Sequence, residues 1–202
     1  MRKVCFISIV LFTCLALFGQ FAAAEEGPTN GWYVPDDFGF FGFYGTEKAF
    51  INSSESHEHS VARIFLCFGK FLDEKKRWKI ETELHFGRHD SRPCEAGPES
   101  NSDSEYGFNF VGKRYFDVEY KIRPYVGILG GFSCHGNPED QPNFGNSGYL
   151  GTFGGLAGVE TPISENAKFR AEYRGTHTSD PLRSHDSGRN YHGFVVGIIF
   201  NF

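Results

Sequence analysis

His177 and Ser179 stand where their chemistry conflicts with their surroundings. From Ala167 onward, Phe169, Ala171, Tyr173 and Gly175 alternate with Lys168, Arg170, Glu172 and Arg174. Strand side chains point alternately to opposite faces, so His177 and Ser179 continue the apolar face. A serine hydroxyl is a weak nucleophile until a base takes its proton, and a neighbouring imidazole can be that base. A third polar group on the other ring nitrogen would fix the imidazole's tautomer and orientation. Across the next turn, Asn190, His192 and Phe194 share one parity, which lets His177, Ser179 and Asn190 converge on the same face. Asp186 is an alternative third member if its loop folds back. From spacing alone, a polar fringe at a membrane interface explains Thr176-His177-Thr178-Ser179 more simply than catalysis does.

The elements that must position these residues read as strands. The chain has 25 Gly and 23 Phe against one Met, and glycine punctuates every segment, which disfavours helices. Alternation predicts strands near 37–46, 59–71, 77–88, 104–116, 120–132, 149–161, 167–179 and 190–202. Tyr106, Phe108 and Phe110 oppose Asn109 and Lys113. Ile122, Val126 and Ile128 oppose Lys121, Arg123 and Tyr125. Glu81 and Glu83 oppose Ile80, Thr82, Leu84 and Phe86. Charges of both signs thus share the inner face of a barrel, where they can pair. The second segment is less regular, because Arg63 shares its face with Phe65 and Cys67.

A soluble barrel would turn these faces the other way, charges to water. The connections favour a membrane barrel. Those at 47–58, 89–103, 133–148 and 180–189 are long and polar, and those at 72–76, 117–119 and 162–166 are short. Long outer loops and short periplasmic turns are the usual asymmetry of outer-membrane barrels. Phe194, Val196, Ile198, Phe200 and Phe202 alternate to the end of the chain, which resembles the assembly signal of such proteins. The expected fold is an all-β, eight-stranded antiparallel transmembrane β-barrel in the cell outer membrane. Eight strands enclose a packed interior, so a diffusion pore is not expected.

The remaining features bound the function. Arg2 and Lys3, the apolar run Val4 to Phe18 and Ala22-Ala23-Ala24 read as a secretory signal over residues 1–24. The run is shorter than the ~20 residues a spanning helix needs. The barrel domain is then 25–202, and loss of the two leader cations takes the net charge from −5 to −7, which argues against nucleic acid as a partner. Cys94 and Cys134 fall in loop segments of an exported chain, where a disulfide could persist and unpaired thiols are equally compatible. His57, His59, His85, His89, His135 and His185 fall in or near the long loops, as does the acidic stretch Glu95 to Glu105, read as solvated. Their spacing does not make a metal site, and no cofactor is implied.

Three stretches and one hairpin carry a family resemblance. They are Ile122-Arg123-Pro124-Tyr125-Val126-Gly127, the Gly-rich Phe153 to Glu160, FRAEYRGTHTS from Phe169 to Ser179, and the hairpin ending in Gly188-Arg189-Asn190. Over Ile122 to the end the chain resembles the PagL-type lipid A 3-O-deacylases, also grouped as acyloxyacyl hydrolases. The resemblance implies an outer-membrane serine esterase that removes a 3-O-linked acyl chain from lipid A, the lipopolysaccharide anchor. It implies His177 as general base and Ser179 as nucleophile, with Asn190 where the family has Glu. Where the family has Asn-Ala-Gly after the serine, this chain has Asp180-Pro181-Leu182. Pro181 lacks a backbone donor, and a carboxylate at 180 would repel an oxyanion, so backbone N–H groups of Asp180 or Leu182 would have to serve. The alternative is a barrel without activity whose loops bind lipopolysaccharide or another surface.

Overall fold

The computed structural model describes residues 35–49, 58–90, 102–117, 121–135, 149–179 and 188–202. The leader and its cleavage point lie outside them. So do Cys94, His57, His185 and the loop residues Asp180, Pro181, Leu182 and Asp186. Eight strands follow in order: β1 (Asp37–Ala49), β2 (Glu58–Phe71), β3 (Trp78–Asp90), β4 (Ser102–Tyr115), β5 (Arg123–His135), β6 (Tyr149–Pro162), β7 (Ala167–Ser179) and β8 (Arg189–Asn201). Each pairs antiparallel with its neighbours, and β8 returns to β1 to close the barrel. Strands of 13 or 14 residues exceed the ~9–11 a tilted strand needs to cross a bilayer.

The alternation inferred from sequence is the alternation of the walls. Outward positions carry exposed Phe40, Ile64, Phe110, Ile128, Phe194 and Ile198. No helix among the described residues is long and apolar enough to cross a membrane. The span is made by strands whose backbone groups are all satisfied around a closed ring, as hydrocarbon requires. The connections after β2, β4 and β6 take six, seven and four residues, and the other four take eight to thirteen.

The lumen is filled, and it has an organisation that no single strand discloses. Phe41, Phe43, Val61, Phe65, Cys67, Tyr191, Val195 and Ile199 pack on the β1, β2 and β8 side. Val111, Tyr115, Tyr125, Leu129 and Leu156 pack on the β4, β5 and β6 side. Between them β3 and β7, four strands apart in either direction, face each other across the lumen with complementary charges. Arg170 donates to Glu81 (3.0 Å) and to Glu160 (2.7 Å). Arg174 donates to Glu83 through both terminal nitrogens (2.7 and 2.6 Å) and contacts Glu172. Lys113 sits 2.6 Å from Glu81 and Lys79 sits 2.7 Å from Asp37. Buried charges are tolerated when paired and hydrogen-bonded, and here Tyr115 and Tyr125 add donors to Glu160 and Glu172.

Three sequence expectations change. β5 begins at Arg123, not at 120, and continues to His135, because Pro124 lacks an N–H and the inward run Leu129, Gly131, Ser133 extends the ladder. Cys134 is therefore a strand residue with a buried, unpaired thiol. His85 and Glu105, which lie within the expected strands but near the loops and read as solvated, are buried. They lie inside the lumen, 3.5 Å apart, with Arg63 held 2.7 Å from Glu105. The irregular face of β2 is resolved by this contact: Phe65 and Cys67 belong to the apolar cluster, and Arg63 belongs to the charge layer above it.

Candidate active site on the outer wall

His177 and Ser179 end β7, and Asn190 is the second residue of β8. The β7–β8 ladder sets His177 directly opposite Asn190, and all three side chains are half-buried on the outward face. His177 Nδ1 lies 2.8 Å from Asn190 Oδ1. A carbonyl oxygen accepts only, so in the neutral ring this contact places the proton on Nδ1 and the lone pair on Nε2. This tautomer can serve as a base. An amide oxygen orients the ring as a carboxylate would, without the charge that stabilises imidazolium.

Two further residues complete the setting. The β6–β7 register places Phe153 opposite His177, and their rings pack 5.1 Å apart. Gly188, with φ +65°, lies against the Cε1–Nε2 edge: a Cβ there would stand 2.5 Å from both atoms. Only glycine combines that backbone conformation with that approach. Counting back from the short β6–β7 turn could have revealed Phe153, whereas the Gly188 contact follows from the path of a loop and has no local signal.

Ser179 pairs with Gly151 across the ladder. It shares the face of His177, about 6.6 Å further along the strand by the rise of two residues. Among the described residues no hydrogen bond joins it to His177. The structure thus unites two of the three expected members, and leaves the serine as a neighbour on the same wall. A second outward polar pair lies one step deeper, where His192 Nε2 is 3.2 Å from Thr46 Oγ1. No cluster of metal-ligating groups occurs among the described residues.

A closed barrel with an apolar outer wall, a charge-filled lumen and long loops at one end defines an integral protein of the bacterial outer membrane. The chain belongs to the outer membrane protein beta-barrel domain family, whose model matches residues 10–202. Among solved structures it is similar to Neisserial surface protein A, with 17% identity over 82% of this chain and 97% of that one and a TM-score of 0.54. It is also similar to OprG from Pseudomonas aeruginosa (13% identity, 83% and 96% covered, TM-score 0.45). A third similar structure is Ail, the attachment invasion locus protein of Yersinia pestis (10% identity, 84% and 100% covered, TM-score 0.45). A comparison with curated proteins finds no match. The likeness to Neisserial surface protein A speaks for the fold alone.

Proposed function

We propose that this barrel is a serine esterase that deacylates lipid A in the outer leaflet, at the 3-O-linked acyl chain. The observation that supports the reading is the His177–Asn190 hydrogen bond on a lipid-facing wall, which directs the lone pair of a neutral imidazole to Nε2, with Ser179 next on the same face. Ser179 Oγ attacks the ester carbonyl while His177 Nε2 takes its proton. The tetrahedral intermediate collapses as the imidazolium returns that proton to the departing sugar oxygen. Water, activated by the same nitrogen, then cleaves the acyl-enzyme to free fatty acid and restores the serine. A site on the outer wall suits a substrate that diffuses laterally in the membrane. The test is mass spectrometry of lipid A from cells expressing the wild type, Ser179→Ala or His177→Ala. Loss of one acyl chain with the wild type alone is expected. An unchanged spectrum with folded wild type overturns the reading.

A second reading is favoured by the spacing of Ser179 from His177 and by Asp180-Pro181 after it. In it the barrel is catalytically silent, and its outer surface binds lipopolysaccharide or another envelope component. The unchanged spectrum is its expected outcome.

A further inference from the structure

The cations of the lumen are matched to carboxylates. Lys79, Lys113, Arg63, Arg170 and Arg174 each have at least one within 3 Å. Three cations at the opposite end of the barrel from the candidate active site are not matched. Arg123 begins β5, Lys168 is the second residue of β7, and Lys76 lies in the β2–β3 turn. Among the described residues none of the three forms an ion pair.

All three lie against one pair of aromatic rings, beside the carboxylate-paired Lys79. Phe71 and Tyr115 pack with ring centroids 5.7 Å apart. The Lys76 and Lys168 ammonium groups lie 5.8 and 6.0 Å from the Phe71 ring centre, and the Arg123 guanidinium lies 4.9 Å from that of Tyr115. Arg123 also donates to the Lys76 carbonyl (2.9 Å), which ties the turn to β5. The nearby carboxylates are engaged elsewhere. Asp36 accepts the Phe71 N–H (2.7 Å), Asp37 pairs with Lys79, and Glu160 accepts from Tyr115 (2.7 Å) and Arg170. Asp37 and Glu160 also attract Lys168, but with those carboxylates already engaged the three cations keep unused donor capacity for an anion. A planar guanidinium fork with two mobile ammonium groups is a donor set suited to a tetrahedral oxyanion.

We propose that the periplasmic mouth binds a phosphate-type oxyanion between Arg123, Lys168 and Lys76. The anion is the headgroup phosphate of an inner-leaflet phospholipid or a soluble phosphate, both of which are met at this depth. The site is at the far end of the barrel from Ser179, so it stands or falls apart from the esterase reading.

Side-chain nitrogen NMR of the full barrel tests it. In a maltoside detergent, which carries no phosphate, inorganic phosphate should shift the Arg123 and Lys168 signals saturably. Followed at the Lys76 signal, the Arg123→Gln/Lys168→Gln variant should bind at least tenfold more weakly, and Lys75→Gln should bind as the wild type does. Lys168→Gln alone serves if the double variant fails to show the heat-modifiable mobility of a folded barrel. In nanodiscs of phosphatidylglycerol, signals already shifted and indifferent to added phosphate identify the headgroup as the ligand. Signals that still titrate identify the soluble anion. Two results would overturn the proposal: no response to phosphate together with unshifted signals in nanodiscs, or equal binding by wild type and variant.

Discussion

At the scale of residues, the imidazole of His177 is held on three sides by different physics. Asn190 fixes its proton, Phe153 covers its face, and the bare Cα of Gly188 borders its reactive edge. If the site is an esterase, Asn190→Ala should lower kcat at least ~100-fold with little change in KM, because an imidazole free to change tautomer is a poorer base. Asn190→Glu should raise kcat above the wild type by supplying the missing charge. Deacylation rates with purified lipid A check both, and Asn190→Ala with wild-type kcat would remove Asn190 from the machinery. That His177 and Asn190 share the outward face was legible from strand parity, since a period of two leaves each side chain only two choices of face, whereas their hydrogen bond comes from the β7–β8 register. The position of Ser179 relative to Nε2 was not, because i and i+2 on one face specify a side and not a hydrogen bond.

At the scale of elements, β3 and β7 are tied across the lumen by Arg170–Glu81 and Arg174–Glu83. Removing one partner strands the other charge in a dry interior. Arg170→Met should cost about 3–5 kcal/mol, the range for a broken buried pair, seen as a lower urea midpoint for unfolding from lipid. A variant within 1 kcal/mol of wild type would show the tie to be dispensable. The β2–β3 turn offers a pH test. The Asp73 carboxylate accepts from the Trp78 (2.6 Å) and Arg77 (2.7 Å) amides, and these bonds hold it below its ordinary value of 3.8. A group lowered on folding stabilises the fold above its unfolded pKa, and the gain is lost as pH falls through the folded value. The urea midpoint of wild type should therefore exceed that of Asp73→Ala at pH 7, and the gap should close on acidification below about 3.8. A gap constant to pH 2 would exclude Asp73.

The two faces of every strand but β2 were legible in its own sequence, and the loop lengths decided which face turns outward. The partners of inner residues were not. Glu81 and Arg170 are 89 residues apart, and their meeting follows from register accumulated around the ring. The burial of Glu105 and His85 was missed for a related reason. Polar residues near a strand's outer end look the same in sequence whether they continue into the lumen or leave into a loop, and the Arg63 partner that decides it lies 42 residues from Glu105.

At the scale of the molecule, the wall must match the bilayer. Ile128 is 74% exposed midway along β5, so Ile128→Arg should destabilise the barrel in lipid by about 2–4 kcal/mol. Ile163→Arg, in the β6–β7 turn, should be near neutral. Equal effects at both positions would contradict the assigned span.

The seam of the barrel sets a condition in time. β1 pairs with β8 from Asp37 opposite Asn201 to Ala49 opposite Arg189, so the first strand made waits for the last. The chain carries an open edge until β8 is in place, and an open edge cannot rest in hydrocarbon. Closure is therefore all or nothing, and a chain without β8 has no smaller ring in which to stop.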